Sequence, residues 1–209
     1  MSPKRYNQPP MAIKAVFFDI GNVLLRFSNK RILRKFAWAV GRHPVKVARH
    51  IWKGRIVDRI ERGEVTGEEI HSLFASELGY TGDFVKFKTL WCDHFTLDRG
   101  SFAILKNLSS RMPTYLLSNT NALHIEHIRE RYVFPTLVKG AILSHELRLR
   151  KPQPEIYEAA LKMSGTAPDE TVFIDDLEEN CEGARKVGLH AIRYRGAKDL
   201  KKRLEALGL

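Results

Sequence analysis

Short unbroken apolar runs, each closed by a polar residue or a glycine, recur along this chain. They are Ala12 to Asp19, "TYLLS" from Thr114, "GAILS" from Gly140, "TVFID" from Thr171 and "HAIRY" from His190. Runs of this length and composition predict strands buried on both faces. Between them the apolar spacing changes to the helical period. Helices are expected up to Arg111, from near Asn121, after Pro154, through Arg185, and from Lys198 to Ala206. Strand, helix and strand in alternation predict an α/β fold with a doubly wound parallel sheet.

The stretch from Ser28 to about Asp93 breaks that alternation and reads as helix throughout. Ser28 caps a segment with apolar residues at Ile32, Leu33, Phe36 and Val40, ended by Gly41. Pro44 suits the first turn of a second helix running towards Arg62. Thr66 and Glu69 have the spacing of a capping box before Ile70, Leu73, Phe74 and Leu78, and Gly79 follows the end. A fourth helix is expected over Phe84 to His94. The predicted organisation is a Rossmann-like core of residues 11–27 and 96–209, with a small all-helical cap, 28–95, inserted after the first strand. Residues 1–10 are polar and proline-bearing and are expected to be a disordered extension, so that either Met1 or Met11 suits a start.

In an open parallel sheet the functional groups gather beyond the carboxyl ends of the strands. Three of the predicted strands end on such groups: Asp19, then Ser118 and Asn119, then Asp175 and Asp176. Two carboxylates 4 Å apart repel by about 4 kcal/mol at an effective dielectric of 20. Three converging acids therefore point to a divalent cation among them, and hard oxygen donors suit Mg2+. Lys151, in "RKPQPEIY", follows one strand and precedes a helix start, where its ammonium can balance Asp19 and a phosphate.

Composition adds one unusual property. The chain is 44% hydrophobic and 28% charged, an ordinary globular balance, but its formal net charge is +11. Much of that charge lies between Lys30 and Arg62, including Arg31, Arg34, Lys35, Arg42, Lys46, Arg49, Lys53, Arg55 and Arg59. This reads as a solvated helical face or as a field that draws anionic substrates. No nucleic-acid motif accompanies it, so a small-molecule partner is expected rather than nucleic acid. Cys92 and Cys181 make no disulfide framework, and no apolar run reaches membrane-spanning length, so a cytoplasmic location without membrane association is expected.

The motifs "FFDIGNVL", "LLSNTN", "RKPQPEIY" and "FIDDLEENCEGARKVGLHAI" stand in the order of the haloacid dehalogenase (HAD) superfamily, which this chain resembles over nearly the whole core. The resemblance implies a HAD core with a helical cap and a magnesium-dependent phosphatase reaction. Asp19 would form an aspartyl-phosphate. Magnesium would be held by Asp19, the Gly21 carbonyl and Asp176, with Asp175 a direct ligand or one step removed. Ser118, the Asn119 backbone, Gly21 and Asn22 would hold the phosphoryl group, Lys151 would stabilise its charge, and Asn180 would play a supporting role. The expected substrate is a small phosphate ester, a sugar phosphate being the most specific expectation.

One residue departs from the pattern. Most phosphatases of the superfamily have a second aspartate two positions after the nucleophile, and here that position is Gly21. General acid–base catalysis contributes about 10²–10⁴-fold, a small part of the acceleration available for phosphate monoesters. The loss therefore slows the reaction without abolishing it, and an Asp-x-Gly-Asn motif resembles a branch containing sugar-phosphate phosphatases. A histidine (His43, His50, His71, His94 or His124), Glu178 or water is left to handle the proton. The alternatives are carbon–halogen hydrolysis, phosphonate cleavage using Lys46 or Lys53, and a weakly catalytic anion-binding regulatory protein.

Overall fold

In the first strand the side chains divide by parity between two cores. A computed structural model describes residues 12–53 and 56–209. The expected extension 1–10, Met11, Arg55 and the side chains of His50 and Lys53 lie outside the described residues. Strand β1 (Ala15–Phe18) sends Val16 and Phe18 to one face of a sheet and Ala15 and Phe17 to the other, and all four are fully buried. The sheet continues with β4 (Thr114–Ser118), β5 (Gly140–Leu143), β6 (Thr171–Asp175) and β7 (His190–Arg193). Their order is β5-β4-β1-β6-β7, and every pairing is parallel. The expected fold class, a doubly wound parallel α/β sheet, is the one observed.

Helices cover both faces, as a parallel sheet requires. Helices α6 (Arg99–Ser109), α7 (Ala122–Arg131) and α11 (Ala197–Ala206) pack Leu105, Leu108, Ile125, Ile128, Leu200 and Leu204 against Val16, Phe18, Val172 and Ile174. Helices α9 (Pro154–Ser164) and α10 (Glu178–Lys186) pack Ile156, Tyr157, Ala160 and Ala184 against Ala15, Phe17, Leu117 and Phe173. A short helix α8 (Ser144–Leu147) begins directly at the end of β5.

The helical insertion packs around a separate apolar cluster, which Leu123 of α7 joins from the core. The insertion contains α1 (Asn29–Ala39), α2 (Pro44–Lys53), α3 (Ile56–Glu61), α4 (Gly67–Leu78) and α5 (Phe84–Cys92). The rings of Phe36, Phe74, Phe87 and Trp91 pack together with centroids 4.9 to 6.0 Å apart. The local stop and start signals act as read. Ser28 accepts from the Arg31 N–H, Thr66 and Glu69 close a capping box, and Gly79 ends α4 in the left-handed conformation.

The insertion leaves and re-enters the core through an antiparallel ribbon that the apolar pattern did not signal. Strand β2 (Leu25–Arg26) pairs with β3 (Thr96–Leu97), Leu25 facing Leu97. Asp98, just past the ribbon, is buried and caps α6 through the N–H groups of Gly100 and Ser101. It also accepts from the Arg26 guanidinium at 2.7 and 2.9 Å and from Tyr194 at 3.1 Å. Among the described residues no helix is long and apolar enough to cross a membrane.

One point of close packing between insertion and core is Gly63. Its φ is +64°, and a Cβ there would clash with the backbone carbonyl of His145 in α8. Gly41 has a similar φ, +60°, with nothing nearby. Left-handed backbone costs an L-residue about 1–2 kcal/mol, so Gly41→Ala is expected to lower the melting temperature by a few degrees. Gly63→Ala is expected to lower it by clearly more, because α8 must also move. Equal losses in two thermal melts would show that the contact with α8 carries no weight.

Candidate active site

The carboxyl ends of β1, β4 and β6 meet around one buried ammonium. Lys151 Nζ lies 2.9 Å from Asp19 Oδ1 and 2.5 Å from Asp175 Oδ2, and donates to the Leu117 carbonyl at 3.1 Å. Lys151 is 3% exposed, Asp19 6% and Asp175 0%, so the pairing is shielded from solvent. Burying an ion costs several kcal/mol unless partners compensate, and this geometry supplies two carboxylates and a carbonyl to one cation. Ser118, at the end of β4, donates its hydroxyl to Asp19.

The supporting residues are hydrogen-bonded to this group in turn. Both Asp175 carboxylate oxygens accept from Asn180 at 3.0 Å, and the Leu177 N–H adds a bond of 2.8 Å. Tyr157 donates to the Asn180 carbonyl at 2.7 Å. The Asn119 side chain clamps the Lys151 backbone, accepting from its N–H at 2.9 Å and donating to its carbonyl at 3.0 Å. Asn22 adopts a left-handed φ of +50°, gives its N–H to the Leu25 carbonyl, and hydrogen-bonds Asp176 through its side chain. Asn119, expected to touch the phosphoryl group through its backbone, and Asn22 thus have side chains committed to positioning other groups.

Electrostatics follow from burial. Asp19 is pushed up to about 7 by desolvation, with Lys151 pulling in the opposite direction. Asp176 is raised by burial and by the neighbouring Asp175 carboxylate. Desolvation would lower Lys151, but the carboxylates of Asp175 and Asp19 together hold it above the ordinary lysine range. Asp19, Asp175 and Asp176 each bring an oxygen within 4.8 Å of the others. Three converging carboxylates with one ammonium make a hard, anionic donor set, which fits Mg2+.

A cavity of about 260 Å³ opens beside these groups, with Gly21, Ser118 and Asn119 on the core side. Its other walls come from the insertion: Ile32, Leu33 and Phe36 of α1, Ile51 of α2, Ile60 and Glu61 of α3, and Trp91 of α5. Position 21 is filled by a neighbour, since a Cβ there would lie 3.0 Å from the Phe27 ring.

Of the groups considered for proton transfer, His94 and His124 line this cavity. Both are lowered by burial, to about 4 and about 3, and are neutral near pH 7. His71 hydrogen-bonds the Gly82 carbonyl, His43 is exposed, and Glu178 pairs with Arg185 and Arg193. Lys46 is exposed.

Two residues carried no sequence signal. Arg150 precedes Lys151 and pairs with Asp58 and, at 2.5 Å, with Glu61, tying α3 to the core next to the buried lysine. Phe27 stands six positions beyond Gly21 in a loop. Contacts that long in sequence have no periodicity to reveal them. The Lys-Pro motif alone marked the neighbourhood of Arg150.

Residues 13–188 match the family model of the haloacid dehalogenase-like hydrolases. The chain belongs to that family. This haloacid dehalogenase-like hydrolase is 24% identical over 203 residues to the D-ribitol-5-phosphate phosphatase of Bacteroides thetaiotaomicron, covering 93% of this chain and 98% of that one. It is 27% identical over 187 residues to the sesquiterpene phosphatase astK of Aspergillus oryzae, covering 84% and 87%. Among solved structures, a HAD family enzyme from B. thetaiotaomicron superposes with a TM-score of 0.82 at 25% identity, covering 92% and 98%. A variant of that enzyme, solved with magnesium and inorganic phosphate, gives 0.80 at 25% identity, covering 92% and 99%.

Asp19 must be ionised to hold a cation, and burial makes that ionisation costly. A carboxyl raised from 3.8 to about 7 in the fold weakens the metal-free protein as pH rises through that window. Magnesium is expected to reverse this, so its stabilising effect should be larger at about pH 8 than at about pH 6. Melting curves with and without magnesium check it; equal shifts at both pH values would contradict the role of Asp19.

Proposed function

We propose that this hydrolase is a magnesium-dependent phosphatase that cleaves a small phosphorylated metabolite through Asp19. The observation that carries the reading is the buried Lys151 ammonium between Asp19 and Asp175, with Asp176 alongside. Asp19, Asp176 and the Gly21 carbonyl would hold the magnesium, and Asp175 faces the same point while bonded to Lys151 and Asn180. When bound, the ion supplies charge stabilisation to the phosphoryl group and relieves the repulsion among the carboxylates.

Asp19 attacks phosphorus, the ester oxygen leaves, and water then hydrolyses the aspartyl-phosphate, regenerating Asp19. Ser118 and the backbone N–H groups of Gly21 and Asn119 orient the phosphoryl oxygens, and Lys151 offsets their charge. Residues 28–95 act as the cap that closes the substrate cavity over the core, 11–27 and 96–209. Two free, buried cysteines suit a reducing, cytoplasmic setting. The two curated relatives share the phosphate ester and differ in the alcohol, a pentitol in one and a sesquiterpene in the other.

A second reading, carbon–halogen hydrolysis, is favoured only by the Phe27 ring beside Gly21, since dehalogenating relatives carry an aromatic side chain there. Three converging carboxylates disfavour it, because that reaction needs no metal. Release of halide from 2-haloacids without magnesium would favour it.

Asp19→Asn is expected to abolish magnesium-dependent release of phosphate from every ester tested; a phosphate-release assay retaining full turnover in that variant would overturn the reading. With Phe27 at the place of a proton donor and both cavity histidines neutral, the leaving oxygen departs with water as its acid. Formation of the aspartyl-phosphate is therefore expected to accelerate steeply as the leaving alcohol becomes more acidic, aryl phosphates reacting by roughly 10²-fold or more over alkyl phosphates, the range an absent general acid exposes. Single-turnover rates across a leaving-group series measure this, and a flat dependence would require an acid in the cavity.

A further inference from the structure

Three buried polar atoms of residues that line the cavity beside Asp19 have no hydrogen-bond partner among the described residues. Trp91 Nε1 comes from α5, His94 Nδ1 from the turn just after it, and His124 Nε2 from α7 of the core. The rings are neighbours, with centroids 6.0 Å apart for Trp91 and His124 and 5.5 Å apart for His94 and His124. A buried polar group left unpaired carries a penalty that a ligand relieves by pairing with it.

The protons on two of the three atoms can be placed. The indole Nε1 is a donor only. Asn121 accepts from the His124 N–H through its carbonyl oxygen, so its amide nitrogen donates to His124 Nδ1 at 3.1 Å. The His124 ring is neutral near pH 7, and its one proton therefore sits on Nε2, a second donor. His94 is neutral as well, burial having lowered it to about 4, so its Nδ1 can accept. Two donors and one acceptor are the complement of a hydroxyl, which accepts two hydrogen bonds and donates one.

We propose that Trp91, His94 and His124 form a socket for one hydroxyl of the alcohol that leaves the phosphate, and so decide which phosphate esters this hydrolase prefers. The inference rests on the phosphatase reading above and adds the specificity residues of the same site. Ile32, Leu33, Phe36 and Ile51 face the cavity with hydrocarbon, so the place of the hydroxyl along the alcohol matters as much as its presence. With the phosphate fixed at Asp19 and the hydroxyl at the three rings, one spacing between them fits best. An ester without that hydroxyl leaves the socket unpaired, a loss of about 5- to 150-fold for one buried polar group.

The test is a series of monophosphates of straight-chain diols from propane to heptane, set against n-alkyl phosphates of equal carbon number, with the full chain and magnesium. Across three or more carbons the far hydroxyl changes the acidity of the leaving alcohol little. At one chain length the hydroxyalkyl ester is expected to lead its alkyl counterpart in kcat/KM by about 5- to 150-fold. At that length the lead is expected to shrink by at least about fivefold in Trp91→Phe and in His94→Phe, each of which keeps a ring and removes the polar atom. The lead is a ratio taken within each protein, so a general loss of activity cancels. No lead at any length, or a lead undiminished in either variant, would overturn the proposal and leave the phosphatase reading intact. Calorimetric binding of hydroxyalkyl- and alkylphosphonates of the same lengths to the unaltered protein needs neither turnover nor a variant. Tighter binding of the hydroxyalkyl compound at one length while no ester is hydrolysed would sink the phosphatase reading and keep the socket. Equal affinities at every length would mean that water alone serves these three atoms, and the socket fails.

Discussion

The arrangement of the site depends on one buried cation held by two acids. Lys151 has almost no access to water, and its charge is stable there because Asp19 and Asp175 lie within 2.9 Å. That requirement brings the ends of β1 and β6 and the loop after α8 to one point. It also leaves a charge imbalance, since three carboxylates face a single ammonium, two negative charges in excess when all are ionised. A hard divalent cation removes that excess, and the phosphoryl group of a substrate then meets a nearly neutral pocket. Asn119, Asn180 and Tyr157 hold the members in place, so the group is rigid before any ligand arrives.

The converging carboxylates and the apolar cavity walls come from different parts of the chain. Asp19, Asp175 and Asp176 stand at strand ends of the core, and Lys151 in the loop after α8. The inserted helices supply apolar walls, backed by an aromatic cluster that Leu123 of α7 joins from the core. Arg150 joins the two, one residue before the lysine, through Asp58 and Glu61 of α3. At Gly21 the division is visible within a few residues: the space beside Asp19 is filled by Phe27, which belongs to the stretch leading into the insertion.

Much of this was legible in the sequence because its determinants are local. Apolar runs ending on Asp19, Ser118 and Asp175 specify strands and place their last residues at the sheet edge. Ser28, Thr66, Glu69 and Gly79 signal their own helix ends through bonds spanning three or four residues. The β2–β3 ribbon was not legible, since two residues per strand make no pattern. Nor was the commitment of the Asn119 and Asn22 side chains, because an asparagine after a strand suits a ligand contact and an internal clamp equally well. The clamp depends on where residue 151 comes to rest, 32 positions away. The role of Arg150 has the same origin, with its partner Asp58 92 positions distant.

The ribbon itself makes the helical insertion a detour whose two ends meet side by side. Leu25 and Leu97 are neighbours, so the sheet, its register and the buried ion group are closed off at that pair whatever the chain does between them. The pairing of Leu25 with Leu97 does not depend on the length or lining of the inserted helices, whereas Arg150, beside Lys151, takes its partners Asp58 and Glu61 from them. Exchange of the inserted helices at such a seam would change the walls of the cavity while the strand ends that carry Asp19, Ser118 and Asp175 keep their places.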